Sequence, residues 1–515
     1  MRRPLLSSRR RTIVWRCAAI AAITAVFAAA CTTDSDSSEP APETRDVGTA
    51  TSPVTDPPPV VEYSIDWEPV TERIDGGWIT VPLDYADPAG PTIDLRVARR
   101  RADSDERIGV LFSNNGGPGA AASTIALNAS AWFDSSITER FDVVSWDPRG
   151  TGESAGVDCI DDDEYDRYFG SADITPETDE ERADLVALAQ DFANACIQRA
   201  GDVLQHIGTN NSARDMDAIR QALGETQVSY FGFSYGSELG GVWTTLFPTT
   251  VRAAIFDGAS DPNAEPIDHE RQQRVGFENA LDTFLAECTA DSDCDFHNDG
   301  DAEAAFDALW AAIDESPLSS EEGRTAVNLG IATTAVAQAM YSERFWGVLE
   351  GALRDAANGD GVALLQLRDA YFQRSPSGEY SNLIEAFQAI SCADQEERPT
   401  PDEDDSEAEQ LVGVAPRLFP QTTGSYFCTF FPAALDPRIE ITGEGAGPIM
   451  VIGTTGDPST PLASSRLMAD SLEDGRLVIV EANEHTGYGV NQCVNDVVDD
   501  YLIHLEAPAD GTVCA

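Results

Sequence analysis

Near the middle of the chain, Gly232-Phe233-Ser234-Tyr235-Gly236 fits the pattern G-x-S-x-G. Residues 228–231 before it read as a strand and residues 237–245 after it as a helix. A serine on so sharp a strand-to-helix turn is pushed out of the sheet, and only small residues fit two places to either side. Such a hydroxyl becomes a nucleophile when a neighbouring base takes its proton. Of the five histidines, His485 follows the last predicted strand, in Asn483-Glu484-His485-Thr486-Gly487. That is the chain order of a triad running Ser, acid, His. His206 precedes the serine, His269 and His297 fall in a helical region, and His504 lies in a terminal helix; these four read as surface or core residues. The acid expected between Ser234 and His485 is Asp457, in Gly456-Asp457-Pro458. Its work would be to hold the imidazole in one tautomer and stabilise the imidazolium. Asp257 and Asp261, after an earlier strand, are the alternatives. Acyl transfer also needs two backbone N–H donors for the oxyanion. Tyr235 is one candidate, and Gly117, in Asn115-Gly116-Gly117-Pro118-Gly119, is the other.

The elements that must position these residues alternate. Residues 79–81, 93–97, 108–112, 141–146, 228–231, 251–256, 448–452 and 476–480 read as short β runs, with helical stretches such as 213–223 between them. Alternation predicts an α/β fold with a doubly wound, mostly parallel sheet, whose ligands bind at the C-terminal ends of the strands. The Gly, Pro, Asp and Ser clusters sit at those ends. One of them, Asp147-Pro148-Arg149-Gly150-Thr151-Gly152, lacks the G-K-[ST] of a nucleotide loop and reads as a turn whose Asp147 and Arg149 brace the site. The β pattern stops over residues 265–444, where 302–315, 333–351 and 364–372 read as helices of an inserted cap. The acidic run 402–409 within it reads as a solvated loop. Asp291, Asp293 and Asp295 alternate as in a calcium loop. Phe296 stands where that loop needs Gly, and Ala302 where it needs Glu, so neither a metal nor a cofactor is expected.

The chain has 515 residues, with 89 Asp+Glu against 33 basic residues, all of them Arg, and a formal net charge of -56. A field of that sign excludes nucleic acid as a partner. At 42% hydrophobic residues a sizeable core is available. Residues 1–30 carry six Arg and no acid, and an Ala-rich apolar run leads to Ala28-Ala29-Ala30-Cys31. This is the layout of an export signal ending in a lipoprotein-type site, with Cys31 as the lipidated residue. Ser8-Arg9-Arg10 is also compatible with a twin-arginine signal. Residues 31–62, rich in Thr, Ser, Asp, Glu and Pro, read as a disordered tether. The protein is therefore expected outside the cell, anchored to the membrane through lipid alone, or secreted. Eight cysteines remain beyond Cys31, an even set that reads as four disulfides in an exported chain. Nearness in sequence pairs Cys159 with Cys196, Cys288 with Cys294, Cys392 with Cys428 and Cys493 with Cys514.

Several segments resemble secreted actinobacterial tripeptidyl aminopeptidases, in the proline-iminopeptidase-like group of α/β-hydrolases. They are Val81-Pro82-Leu83-Asp84-Tyr85, Gly116-Gly117-Pro118-Gly119, Asp147-Pro148-Arg149-Gly150, Ala213-Arg214-Asp215-Met216-Asp217, Gly232-Phe233-Ser234-Tyr235-Gly236 and Asp457-Pro458-Ser459-Thr460-Pro461. The end of the chain, from Cys493-Val494 to Gly511-Thr512-Val513-Cys514, is similar to that family's C-terminal segment. The resemblance spans residues 63–515. It departs at Asn115, where the family often has His or Pro, and lacks an early Cys pair over 67–83. It implies a hydrolase core of residues 63–264 and 445–515 around the cap, the triad Ser234, Asp457 and His485, and removal of short peptides from free N-termini. An N-terminal exopeptidase must hold an ammonium, and Asp394 and Glu385 are the cap carboxylates considered for that role. A carboxylesterase or lipase would use the same triad, and the cap pocket separates the two activities.

Overall fold

The computed structural model describes residues 62–421 and 423–515. The expected signal, Cys31 and the tether up to residue 61 lie outside the described residues. Ten strands form one sheet among the described residues: β1 (Ile65–Pro69), β2 (Ile74–Pro82), β3 (Thr92–Arg100), β4 (Gly109–Asn114), β5 (Phe141–Trp146), β6 (Val228–Phe233), β7 (Val251–Asp257), β8 (Ile449–Thr454), β9 (Gly475–Val480) and β10 (Thr512–Cys514). Their order is β1-β2-β3-β5-β4-β6-β7-β8-β9-β10. Pairing is antiparallel from β1 to β5 and parallel from β5 to β10. This is the doubly wound α/β-hydrolase sheet anticipated from the alternation.

The apolar runs of β4, β6 and β8 are buried along their whole length because helices cover both faces. Alternate residues go to opposite faces: Phe112, Val144, Tyr230, Phe256 and Val451 join one core, and Leu111, Val143, Phe231, Ile255 and Ile452 the other. The edge strands β1 and β10 carry no such run. One is IDWEP, largely exposed, and the other has three residues, so neither stood out from the sequence. The helix Asp179–Ala200 was also not anticipated, since its apolar face is thin. Its start was nonetheless written in the chain, because Thr178 and Glu181 form a capping box.

Between β7 and β8 the chain is dominated by helices, including Pro266–Ala290, Ala302–Glu315, Leu329–Met340, Trp346–Ala357, Val362–Tyr371 and Leu383–Asp394. Most of this cap has its own core, built on Phe284, Phe306, Trp310, Val336, Leu349 and Leu353. The helix Leu383–Asp394 instead buries Ala386, Ala389 and Ile390 with the sheet. Two expectations here need correction. The single helix expected over 333–351 is two, because Ser342 takes an extended conformation and pairs with Glu484. The acidic run 402–409 is not a solvated loop but mostly a helix, Pro401–Ala408. Thr400 caps it, Pro401 sits at its first turn, and Asp402, Glu403 and Asp404 face the positive end of its dipole. Asp404 and Asp405 turn onto the Tyr426 N–H, the Tyr426 hydroxyl and the Gly424 N–H.

The eight cysteines pair as 159–196, 288–294, 392–428 and 493–514. Four disulfides require an oxidising compartment, which makes this an exported protein. No helix among the described residues is long and apolar enough to cross a membrane.

Candidate active site

The loop after β6 is forced into shape by backbone crowding. A Cβ on Gly232 would lie 2.3 Å from the Gly236 carbonyl oxygen, and one on Gly236 would lie 2.7 Å from that of Asn114. Glycine at both places lets the strand turn directly into the helix Tyr235–Leu246. Ser234 sits at the turn with φ 55° and ψ −127°, a region that L-residues rarely adopt. Its N–H donates to the Asp257 carbonyl at the end of β7 (2.8 Å), which locks the strained residue to the sheet.

The Gly-rich loop after β4 closes against it. Gly116 approaches so near that a Cβ would stand 2.9 Å from Ser234 Cβ and 3.1 Å from the Tyr235 nitrogen. The Gly116 N–H is engaged by Asn114 Oδ1 at 2.8 Å. The N–H groups of Gly117 and Tyr235 donate to no acceptor among the described residues. Gly117 is exposed and holds φ 110°. An oxyanion needs two such free backbone donors.

Asp457 and His485 lie on the loops after β8 and β9. The imidazole Nδ1 is 2.9 Å from Asp457 Oδ1. The carboxylate is buried and accepts from the Ser459 N–H (2.9 Å), the Thr460 N–H (2.8 Å) and the Thr460 hydroxyl (2.8 Å). Those donors keep it aimed at the ring. Thr460 was quoted only as part of a motif, and its work becomes visible once the Asp-Pro turn is folded. Burial would push the imidazole down. The Asp457 charge and hydrogen bond, with the Asp257 charge behind them, overturn this and hold it above its ordinary value. Nε2 is buried and has no hydrogen-bond partner among the described residues, so it is free to accept a proton.

The alternative acids do other work. Asp257 accepts the N–H groups of Gly487 (2.7 Å) and Tyr488 (2.8 Å), fastening the loop just past His485. Asp261 bonds Asn263 and Gln272. Arg149 and Asp147 brace the neighbouring loops. Arg149 is fully buried, with Nε and Nη2 on Asp215 (2.7 and 2.6 Å) and its other N–H groups on the carbonyls of Pro82, Leu83 and His206. Asp147 accepts the N–H groups of Ser123 and Glu153.

The two carboxylates considered for a substrate amine both accept hydrogen bonds from within the fold. Glu385 accepts the N–H groups of Cys159 (2.7 Å) and Ile160 (3.0 Å) and the hydroxyl of Tyr165 (2.8 Å), so it anchors a disulfide loop. Asp394 accepts the N–H and the hydroxyl of Thr209, whose oxygen also meets the Tyr235 hydroxyl. Sequence could not separate these acids from solvated ones, because their partners lie more than 180 residues away.

Burial drives Asp257 and Glu385 up to about 7 and Asp394 up to about 6. A carboxyl raised in the folded state stabilises the fold fully below its unfolded value, near 4, and that contribution is lost as pH rises through the folded value. The melting temperature is therefore expected to fall between pH 5 and pH 8. Glu385→Gln keeps an acceptor for both N–H groups, and Tyr165 can donate to the Ser381 carbonyl at 3.1 Å instead. Scanning calorimetry should show a flatter pH dependence in this variant, with kcat/KM unchanged; a raised KM would restore Glu385 to the substrate site.

Residues 110–300 match the profile of the alpha/beta hydrolase fold, and residues 416–514 that of the TAP-like protein. The chain is 31% identical over 485 residues to the serine protease Hip1 of Mycobacterium tuberculosis, covering 88% of this chain and 92% of that protein. It is 35% identical over 462 residues to carboxylesterase B of the same organism, covering 85% of each. It is 29% identical over 478 residues to the tripeptidyl aminopeptidase of Streptomyces lividans, covering 88% and 86%.

Proposed function

The chain belongs to the TAP-like α/β-hydrolase family of serine hydrolases, and from that premise we propose that it is an exopeptidase releasing short peptides, tripeptides among them, from free N-termini. The carrying observation is the Asp457–His485 pair with Nε2 left free, on the loops beside an elbow that strains Ser234 outward.

In this reading Ser234 Oγ attacks the scissile carbonyl while His485 Nε2 takes its proton. The oxyanion is held by the N–H groups of Gly117 and Tyr235. The tetrahedral intermediate collapses, and His485 returns the proton to the departing amine. An acyl group now sits on Ser234. Water, deprotonated by His485, then attacks the acyl carbon; the bond to Ser234 Oγ breaks, His485 returns the proton to that oxygen, and the N-terminal fragment leaves as the acid. Asp457 holds the ring through Nδ1 and supports the imidazolium. Residues 63–264 and 445–515 form the hydrolase core and 265–444 the cap over it. Residues 1–30 direct export, and lipid on Cys31 anchors the chain to the outer face of the membrane. Cys31→Ser should release the protein from the membrane fraction; unchanged fractionation would remove the anchor.

The test of activity compares Ala-Ala-Pro anilides with free and acetylated N-termini, beside p-nitrophenyl esters. Free anilides are expected to turn over about 100-fold faster or more than acetylated ones, since an unpaired buried receptor for the ammonium is costly. Indifference to acetylation would reject the exopeptidase. Hydrolysis of the esters alone would favour the second reading, a carboxylesterase, which the similarity to carboxylesterase B supports. A fluorophosphonate adduct mapped by mass spectrometry should fall on Ser234 in either case.

A further inference from the structure

The break between Leu329–Met340 and Trp346–Ala357 brings the cap onto the base. Three successive residues meet three in reverse order. The Tyr341 carbonyl accepts the His485 N–H at 3.0 Å. Ser342, buried, pairs antiparallel with Glu484. The Glu343 carboxylate accepts the Asn483 side-chain amide. The Tyr341 ring stands 5.1 Å from the imidazole and nearly perpendicular to it, at 83°. The Tyr371 ring lies beside it, with centroids 6.3 Å apart. Phe277 backs the Tyr341 ring at 5.7 Å. Its neighbour Gly276 carries the long helix Pro266–Ala290 so close to the acid loop that a Cβ would lie 2.4 Å from the Pro458 carbonyl oxygen.

The imidazole needs this help. His485 sits on an irregular loop, and the bond from Nδ1 to Asp457 fixes one point of the ring. The covalent bond at Cγ holds a second point, and the ring can still turn about the line joining the two, carrying Nε2 toward or away from Ser234. The direction of Nε2 is set by what touches the ring itself. Among the described residues Tyr341 makes the aromatic contact with it. We propose that Tyr341 is a positioning residue for His485, supplied by the cap, so that the base is aligned only while the cap is seated. This rests on the reading of Ser234, Asp457 and His485 as the triad.

The experiment uses the full chain with Tyr341→Ala, Tyr341→Phe and His485→Ala. It measures kcat and KM on a peptide anilide and the rate of fluorophosphonate labelling. Labelling reports proton removal from Ser234 without peptide recognition. Tyr341→Ala is expected to lower kcat and the labelling rate together by about 10- to 100-fold, the scale of a misplacement near 1 Å, with KM within about twofold. Tyr341→Phe keeps the ring and should stay within about threefold of wild type. If Tyr341→Ala melts early, Tyr341→Leu retains the bulk without the ring, and the same loss is expected. Wild-type labelling in the alanine or leucine variant, with His485→Ala inert, would overturn the proposal and leave the triad standing. Equal losses in phenylalanine and alanine variants would assign the effect to the hydroxyl and overturn the ring contact. Undiminished labelling in His485→Ala would remove the triad reading, and the proposal with it.

Discussion

Asp457→Asn will lower kcat by about three to four orders of magnitude, the range found when a triad carboxylate loses its charge with its geometry intact. The asparagine oxygen can still accept from Ser459, Thr460 and the imidazole, which all converge on one carboxylate oxygen. The Thr460 hydroxyl, which donates to the other oxygen, can turn to accept from the new amide. What is lost is the negative charge beside the ring. That charge and its hydrogen bond are the main features opposing the burial of His485. Without the charge the imidazole falls below its present value. A general base works only when neutral, so activity disappears as pH drops through the pKa of His485. The acid limb of the pH–rate profile should therefore move to lower pH while the plateau falls. A plateau that falls with the limb unmoved would mean that Asp457 acts through orientation alone.

Arg149→Ala will cost about 3–5 kcal/mol of stability, because it leaves Asp215 buried and without its cation. Both side chains have no exposure to solvent. Among the described residues only Tyr85, at 2.8 Å, would then still donate to that carboxylate. The total for a native domain is about 5–15 kcal/mol, so the variant should be recovered in low yield or melt far below the parent. Urea denaturation of the purified protein measures it. Arg149→Met with Asp215→Leu should recover part of the loss, since it removes the orphaned charge. It cannot recover all of it, because the carbonyls of Pro82, Leu83 and His206 also lose the N–H groups of Arg149, although Asn211 still donates to His206 at 3.2 Å. A double variant as unstable as the single one would locate the cost in those carbonyls instead of in the ion pair.

Much of the chemistry was legible before folding. The elbow is local: Gly232, Ser234 and Gly236 are read in five residues, and the crowding that selects glycine acts between those residues and one adjoining strand. The order Ser234, Asp457, His485 follows from the alternation of strands and loops, because an α/β sheet presents its loops at one edge. The strands that carry continuous apolar runs were found for the same reason, since full burial leaves a mark in composition. β1, β10 and the helix Asp179–Ala200 were missed because edges and half-exposed helices leave little.

The roles that sequence left open belong to contacts between distant segments. Glu385 and Asp394 look like any other acids in a cap this acidic. Only folding puts Glu385 against Cys159 and Ile160, and Asp394 against Thr209, where burial raises their pKa and hydrogen bonds occupy their oxygens. Asp257 was a spare acid in the sequence and is an anchor for the loop of His485 in the fold. Tyr341 carried no signal at all, since its residue type says nothing about a histidine 144 positions away. Sequence by itself determined the parallel sheet and the pairing of cysteines near in the chain, and it named the residues proposed as nucleophile, base and acid. Each of these depends on spacing, which is a property of the covalent order. Tertiary structure decided which carboxylates are structural and which residue of the cap meets the base. Those depend on desolvation and close contact, which exist only when remote parts of the chain exclude water together.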